Sequence, residues 1–173
     1  MTVSPVAHTA TSLSTLVLLI KFYATLMKQG GARFRAGSRP PEDANAFPDL
    51  VKSLKATTVK QTFGVSAEGA EASEKELKAR MADVRWQRIV SNDLENIPLG
   101  LIIAWTSLPT AWSPLLHALL VSLFAAARVG HTIAYAKALQ PHRAATWAAG
   151  IVSVLGLCLN GVAGLVLGSG VSA

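Results

Sequence analysis

The chain has 173 residues, of which 51% are hydrophobic and only 15% are charged. Soluble domains carry about a quarter charged residues, so this apolar excess predicts burial in lipid. The net charge of +6 does not indicate a nucleic-acid-binding protein. Twelve of the sixteen Lys and Arg residues lie at positions 28–88, between apolar runs, as positive-inside topology produces.

The apolar runs predict an all-α integral membrane protein, a single domain covering residues 1–173. We expect four helices in up-down order, at about residues 11–27, 84–108, 114–138 and 144–167. No basic segment precedes the first run, so we expect a retained helix rather than a secretory signal, with Lys21 reaching towards an interface. Residues 97–108 are too short to span unless the polar residues 84–96 continue the same helix.

Proline and glycine residues add detail to the predicted helix arrangement. Pro114 suits the first turn of the third helix. Glycines in the last run allow close helix packing, and they are Gly150, Gly156, Gly161, Gly164 and Gly168.

The distribution of charge predicts the topology. Residues 1–20 and the turn at 109–113 carry no Lys or Arg, whereas the loop 28–83 carries many. We therefore expect this loop and the loop after the third helix to face the cytosol, with both termini opposite. The mixed-charge residues 50–80 favour a solvated extension of the second helix, and residues 57–69 show no regular pattern.

Two polar stripes interrupt the apolar helices, where ionisable residues usually have a functional or pairing role. At 100° per residue, Arg88, Asn92 and Glu95 share one face of the second helix, and Asp93 points elsewhere. The second and third helices are expected to be antiparallel, because only a short turn joins them. Glu95 on the second helix and Arg128 on the third then lie at matching depth, and we expect a buried ion pair between them. The stripe on the third helix consists of His117, Arg128, His131 and Tyr135.

These stripes have two interpretations. In one, they only hold the bundle together. In the other, an excess of hydrogen-bond donors at a solvent-exposed helix end binds a small anionic ligand. Arg143 follows Pro141 at the predicted start of the fourth helix. A guanidinium and a helix N-terminus both favour an anion such as a thiolate there, although an ordinary interface arginine fits the position too.

Other chemistries lack the residues they need. The single cysteine, Cys158, excludes an internal disulfide and a multi-cysteine metal site, and the spacings of histidines and acids offer no metal site. A Gly-rich phosphate loop, an HExxH motif and a GxSxG motif are all missing from the sequence.

Three segments follow the pattern of one known family. They are VRWQRIVSNDLENIPL at 84–99, ARVGHTIAYAKALQPHRA at 127–144 and PPEDANAF at 40–47. The first is similar to an Arg followed by Asn-Asp-Leu-Glu-Asn, and the second to an Arg-x-x-His-Thr-x-Ala-Tyr run followed by Pro-x-Arg. Together they resemble the membrane-associated proteins in eicosanoid and glutathione metabolism, the MAPEG family, particularly its microsomal glutathione transferases and prostaglandin E synthases.

The resemblance implies a homotrimer with glutathione, a cosubstrate, bound between subunits on the cytosolic side of the endoplasmic reticulum or outer mitochondrial membrane. It implies that Arg143 holds the thiolate as the catalytic residue and that Asp43 matches an acid implicated in the prostaglandin synthases. The remaining glutathione-binding positions match Arg33, Arg88, Asn92, Glu95, His131 and Tyr135, to which the polar stripe adds Arg128.

We therefore expect a detoxifying membrane transferase that joins glutathione to a lipophilic electrophile arriving from the bilayer, or reduces lipid peroxides. A glutathione-dependent prostaglandin endoperoxide isomerase is one alternative. Ser91, Ala144 and Trp147 depart from the synthase pattern, and residues 51–79 exceed the usual family loop. A lipid-binding scaffold or a transport bundle is the other alternative, but the sequence shows neither the repeated halves nor the broken helices of transporters.

Overall fold

The computed structural model describes residues 3–65 and 72–168, and these form an all-α structure, as predicted. The long helices are α1 (Pro5–Ala36), α4 (Glu74–Ser107), α5 (Pro114–Ala136) and α6 (His142–Gly168). Two short helices, α2 (Asp43–Ala46) and α3 (Pro48–Ser53), follow α1, and a 3-10 turn at Leu108–Thr110 follows α4.

Within the described ranges, α1, α5 and α6 are long and apolar enough to cross a membrane. Helix α4 has 34 residues but carries many charges, so a fourth span remains a prediction. The first two long helices extend beyond their predicted bounds, since α1 continues before residue 11 and after residue 27 and α4 begins at Glu74. Of the mixed-charge residues 50–80, only 74–80 form the expected extension of the second helix. Much of the predicted loop 28–83 is therefore helical.

One compact unit consists of Met1–Phe22 and Ser91–Ala173, and here α5 packs along α6. Its apolar core contains Leu18, Ile97 and Phe124 in one cluster. Pro114 occupies the first turn of α5, as predicted, and Ser113 caps that helix by accepting a hydrogen bond from the N–H of Leu116.

The glycines of α6 differ in what surrounds them. An added Cβ would lie 1.8 Å from the carbonyl oxygen of Thr110 at Gly164, 2.7 Å from Ser107 Cβ at Gly161 and 3.0 Å from Leu120 at Gly156. Gly150 has ordinary contacts, and no described residue lies within 4 Å of a Cβ added at Gly168. The expected close packing is thus confirmed at Gly156, Gly161 and Gly164.

The other compact unit consists of Tyr23–Val90. Helix α1 ends there at Ala36, the next residue, Gly37, has a φ of 72° that suits glycine, and the N–H of Ser38 donates to the carbonyl of Arg33. The start of α4 is capped reciprocally by Ser73 and Glu76. The backbone N–H of Ser73 holds the pKa of the Glu76 carboxyl below its usual value. Of the patternless stretch 57–69, residues 57–65 contain no helix, and the rest lies outside the described residues.

Candidate functional site

An ion cluster lies in the interior of the first unit. Asp93 on α4 is 0% exposed and Arg128 on α5 is 1% exposed. Arg128 Nη2 donates to Asp93 Oδ1 over 2.9 Å, and Lys21 on α1 forms a salt bridge with the other carboxylate oxygen. Two cations share one carboxylate, so the cluster retains one positive charge.

The predicted Glu95–Arg128 ion pair is wrong. Asp93 is the partner of Arg128, whereas Glu95 is exposed and forms no ion pair within the described part of the chain. Helical spacing places the two acids on different faces of α4, but it does not say which face turns inward. The expected reach of Lys21 towards an interface is also wrong, because its side chain is 9% exposed and bound to Asp93.

Asn92 lies next to this cluster. Arg128 Nη2 donates to Asn92 Oδ1 over 2.6 Å, and the Asn92 side chain is half-buried. Arg128, one of the predicted ligand residues, is therefore placed behind Asn92 in the protein interior.

A second polar group forms where α5 leads into α6. The guanidinium of Arg143 lies over the ring of Tyr135, 4.6 Å from its centroid, in a cation–π contact. His131 meets the same ring edge-on, with centroids 5.8 Å apart. Three of the predicted site residues are thus brought together at this corner.

The chemistry of this corner follows from its hydrogen bonds. His131 Nδ1 lies 3.1 Å from the carbonyl oxygen of Arg143, and a carbonyl only accepts, so Nδ1 carries a proton. In the neutral ring Nε2 is then an acceptor, and this buried atom has no hydrogen-bond partner among the described residues. The Arg143 guanidinium is half-buried and has no carboxylate partner among the described residues.

The local sequence places Arg143 at the start of a helix. Helix α5 ends at Ala136, Ala138 just beyond it has a φ of 57°, and the N–H of Leu139 donates to the carbonyl of Ala134. Helix α6 begins at His142, so Arg143 lies in its first turn, at the positive end of the helix dipole.

The remaining predicted residues belong to the second unit. Arg33 is half-buried, and its Nη2 donates to the carbonyl of Ser38 over 3.1 Å. Arg88 on α4 is exposed. Asp43 forms a 2.9 Å ion pair with Arg39, so its carboxylate is already balanced.

Sequence reasoning missed the role of Asp93, although a signal for it existed. Lys21 interrupts an apolar run, and a lysine at that depth requires an acidic partner. Asp93 and Glu95 both satisfied that requirement by depth, and only the packing of α4 selects Asp93.

The MAPEG family model matches residues 8–163 of the chain. The chain belongs to the MAPEG family. With its three apolar helices it is therefore a membrane protein, of a family whose members act in glutathione-related or eicosanoid metabolism. The family includes glutathione transferases and related enzymes together with non-catalytic members. A comparison with curated proteins gave no match.

Proposed function

We propose that the protein is a membrane-bound glutathione transferase that conjugates the glutathione thiolate to lipophilic electrophiles from the bilayer. One observation carries this proposal. Arg143, in the first turn of α6, is a half-buried guanidinium stacked on Tyr135, and no carboxylate of the described residues neutralises it.

This environment suits a thiolate. The thiolate and not the thiol is the nucleophile, and a free thiol ionises mostly above neutral pH. A guanidinium and the positive end of a helix both stabilise the anion, so the pKa of a thiol bound there falls and its reactive fraction rises.

The rest of glutathione needs partners for two carboxylates and an ammonium group. Arg33 and Arg88 are proposed to bind the carboxylates and Glu95 the ammonium group. Asn92 is proposed to donate a hydrogen bond to glutathione, and His131 Nε2 to accept one from it. Arg88 and Glu95 are exposed on a single chain, which supports a ligand site covered by a neighbouring copy in a homotrimer. We place this site at the cytosolic face of an intracellular membrane.

The proposal is tested by conjugation of glutathione to 1-chloro-2,4-dinitrobenzene by the detergent-purified protein. Arg143→Ala removes the group that stabilises the developing charge, so kcat/KM should fall about 10²- to 10³-fold. Lys137→Ala is the matched control, because it removes an exposed cation from the same α5–α6 connection and should leave kcat/KM within about twofold of the wild type.

Other outcomes point to other functions. Glutathione binding without conjugation would favour the endoperoxide isomerase. Absence of both would favour the lipid-binding scaffold. Full activity of Arg143→Ala would contradict the role given to this arginine.

A further inference from the structure

A hydrogen bond fixes the orientation of the Asn92 side chain. Arg128 Nη2 lies 2.6 Å from the oxygen of the Asn92 carboxamide. A guanidinium can only donate, so the carboxamide atom that faces it must be the oxygen. The nitrogen Nδ2 is then directed away from Arg128 with its two N–H groups, and none of the described residues accepts a hydrogen bond from it.

Arg128 is itself held from behind. The same Nη2 donates to Asp93 Oδ1, and Lys21 occupies the other oxygen of that carboxylate. Arg128 and Asp93 are buried, whereas Asn92 is half-buried. A ligand can therefore reach the amide of Asn92 without reaching the guanidinium of Arg128.

We infer that Arg128 is a positioning residue, which holds the Asn92 carboxamide so that Nδ2 donates to a carboxylate oxygen of the ligand. Asp93 and Lys21 keep Arg128 in that place. This inference rests on the proposed function, because the carboxylate is taken to be one of the two in glutathione.

The arrangement selects the chemistry of what binds at Asn92. A ligand group without an acceptor would leave the Asn92 N–H groups desolvated and unpaired, which is unfavourable. The unbalanced positive charge of the Lys21–Asp93–Arg128 cluster also favours an anion over a neutral acceptor. The site should therefore prefer glutathione to an analogue in which its carboxylates are converted to amides.

Asn92→Asp is the sharpest test, since it replaces only the ligand-facing NH₂ with an oxygen. Arg128 keeps an acceptor, so the purified variant should fold and unfold near the wild-type temperature. Its ligand-facing atom becomes an anionic acceptor, so the KM for glutathione should rise about tenfold or more while kcat at saturating glutathione stays within about twofold. An unchanged KM would overturn the inference.

A double-mutant cycle tests whether Arg128 acts through Asn92. Arg128→Lys retains a charge beside Asp93 but not the planar guanidinium that orients the carboxamide. Arg128→Lys should raise the KM for glutathione several-fold when Asn92 is present, and it should change the KM little in the Asn92→Ala background. An equal rise in both backgrounds, or in neither, would overturn the inference.

His117→Gln is the matched control for Arg128→Lys. His117 is another buried polar residue of α5, but its Nε2 bonds to Thr11 Oγ1. The variant should lose stability without a change in KM, whereas a rise in KM equal to that of Arg128→Lys would show that any buried change in α5 perturbs the site.

Direct binding of radiolabelled glutathione to the wild type separates the positioning role of Arg128 from the proposed function. Binding that is retained while the cycle shows no coupling would contradict only the positioning role, and no binding at all would contradict the proposed function itself.

Discussion

Asp93 balances two buried cations, and this makes it the most sensitive single residue of the first unit. Removing one member of a buried ion cluster leaves the other charges without compensation, which costs about 3–5 kcal/mol. Asp93→Asn leaves both Lys21 and Arg128 in that condition. Glu95 is exposed and forms no such pair.

We therefore predict that Asp93→Asn lowers the free energy of unfolding by about 3–5 kcal/mol. Glu95→Gln, a matched loss of one carboxylate from the same helix, should change it by less than about 0.5 kcal/mol. Thermal unfolding in detergent micelles without glutathione measures both. The assignment of Asp93 would be contradicted if the two variants unfolded at the same temperature.

Residues at this scale were only partly predictable. The segments at 84–99 and 127–144 contained all members of the ion cluster except Lys21, and they contained the Arg143–Tyr135–His131 corner. The partner of Arg128 was not predictable, because two acids lie two positions apart in the sequence and depth alone does not distinguish them. The packing of α4 against its neighbours decides that choice, and periodicity does not report it.

At the scale of helices, α6 is held against the connection at 108–113 between α4 and α5, which begins with the 3-10 turn. Asn160 Oδ1 accepts from the N–H of Ser113, and Asn160 Nδ2 donates to the carbonyl of the same residue. Gly164 lies close enough to the turn that an added Cβ would overlap the carbonyl oxygen of Thr110. The close approach of α6 to the turn therefore depends on the missing side chain.

Gly164→Ala should accordingly destabilise the protein by about 1–3 kcal/mol, because backbone atoms of the turn must move. Gly168→Ala is the control in the same helix, since no described residue lies within 4 Å of its added Cβ. It should be neutral, or stabilising by less than about 1 kcal/mol, because alanine favours helix. Equal unfolding midpoints for the two variants would contradict this prediction, because they would show that the turn moves without a cost in stability.

The presence of the helices was predictable from the sequence, whereas the residues at which they end were less predictable. Apolar runs marked α1, α5 and α6, and Pro114 marked the start of α5. Helix α1 continues to Ala36 because the polar residues after 27 are also compatible with helix until Gly37 adopts its left-handed conformation. Hydropathy reports where a helix can be buried in lipid, and it does not report where the helix ends.

For the whole molecule, the apolar composition and the charge distribution predicted a helical membrane protein, and family membership agrees with both. The assembly could not be derived from one chain, because the residues that would contact a neighbouring copy look like exposed residues of a monomer. Arg88 and Glu95 are of this kind. A homotrimer remains a proposal that accounts for their exposure.

The central claim is that Arg143 stabilises the thiolate of bound glutathione. The most direct measurement is a pH titration of the ultraviolet thiolate absorbance of bound glutathione, with wild-type protein and with Arg143→Ala. We predict that the pKa of the bound thiol lies below that of free glutathione in the wild type, with about tenfold more thiolate at neutral pH. It should return towards the free value in the variant. A bound thiol that titrates like free glutathione in the wild type, or identically in both proteins, would contradict the claim.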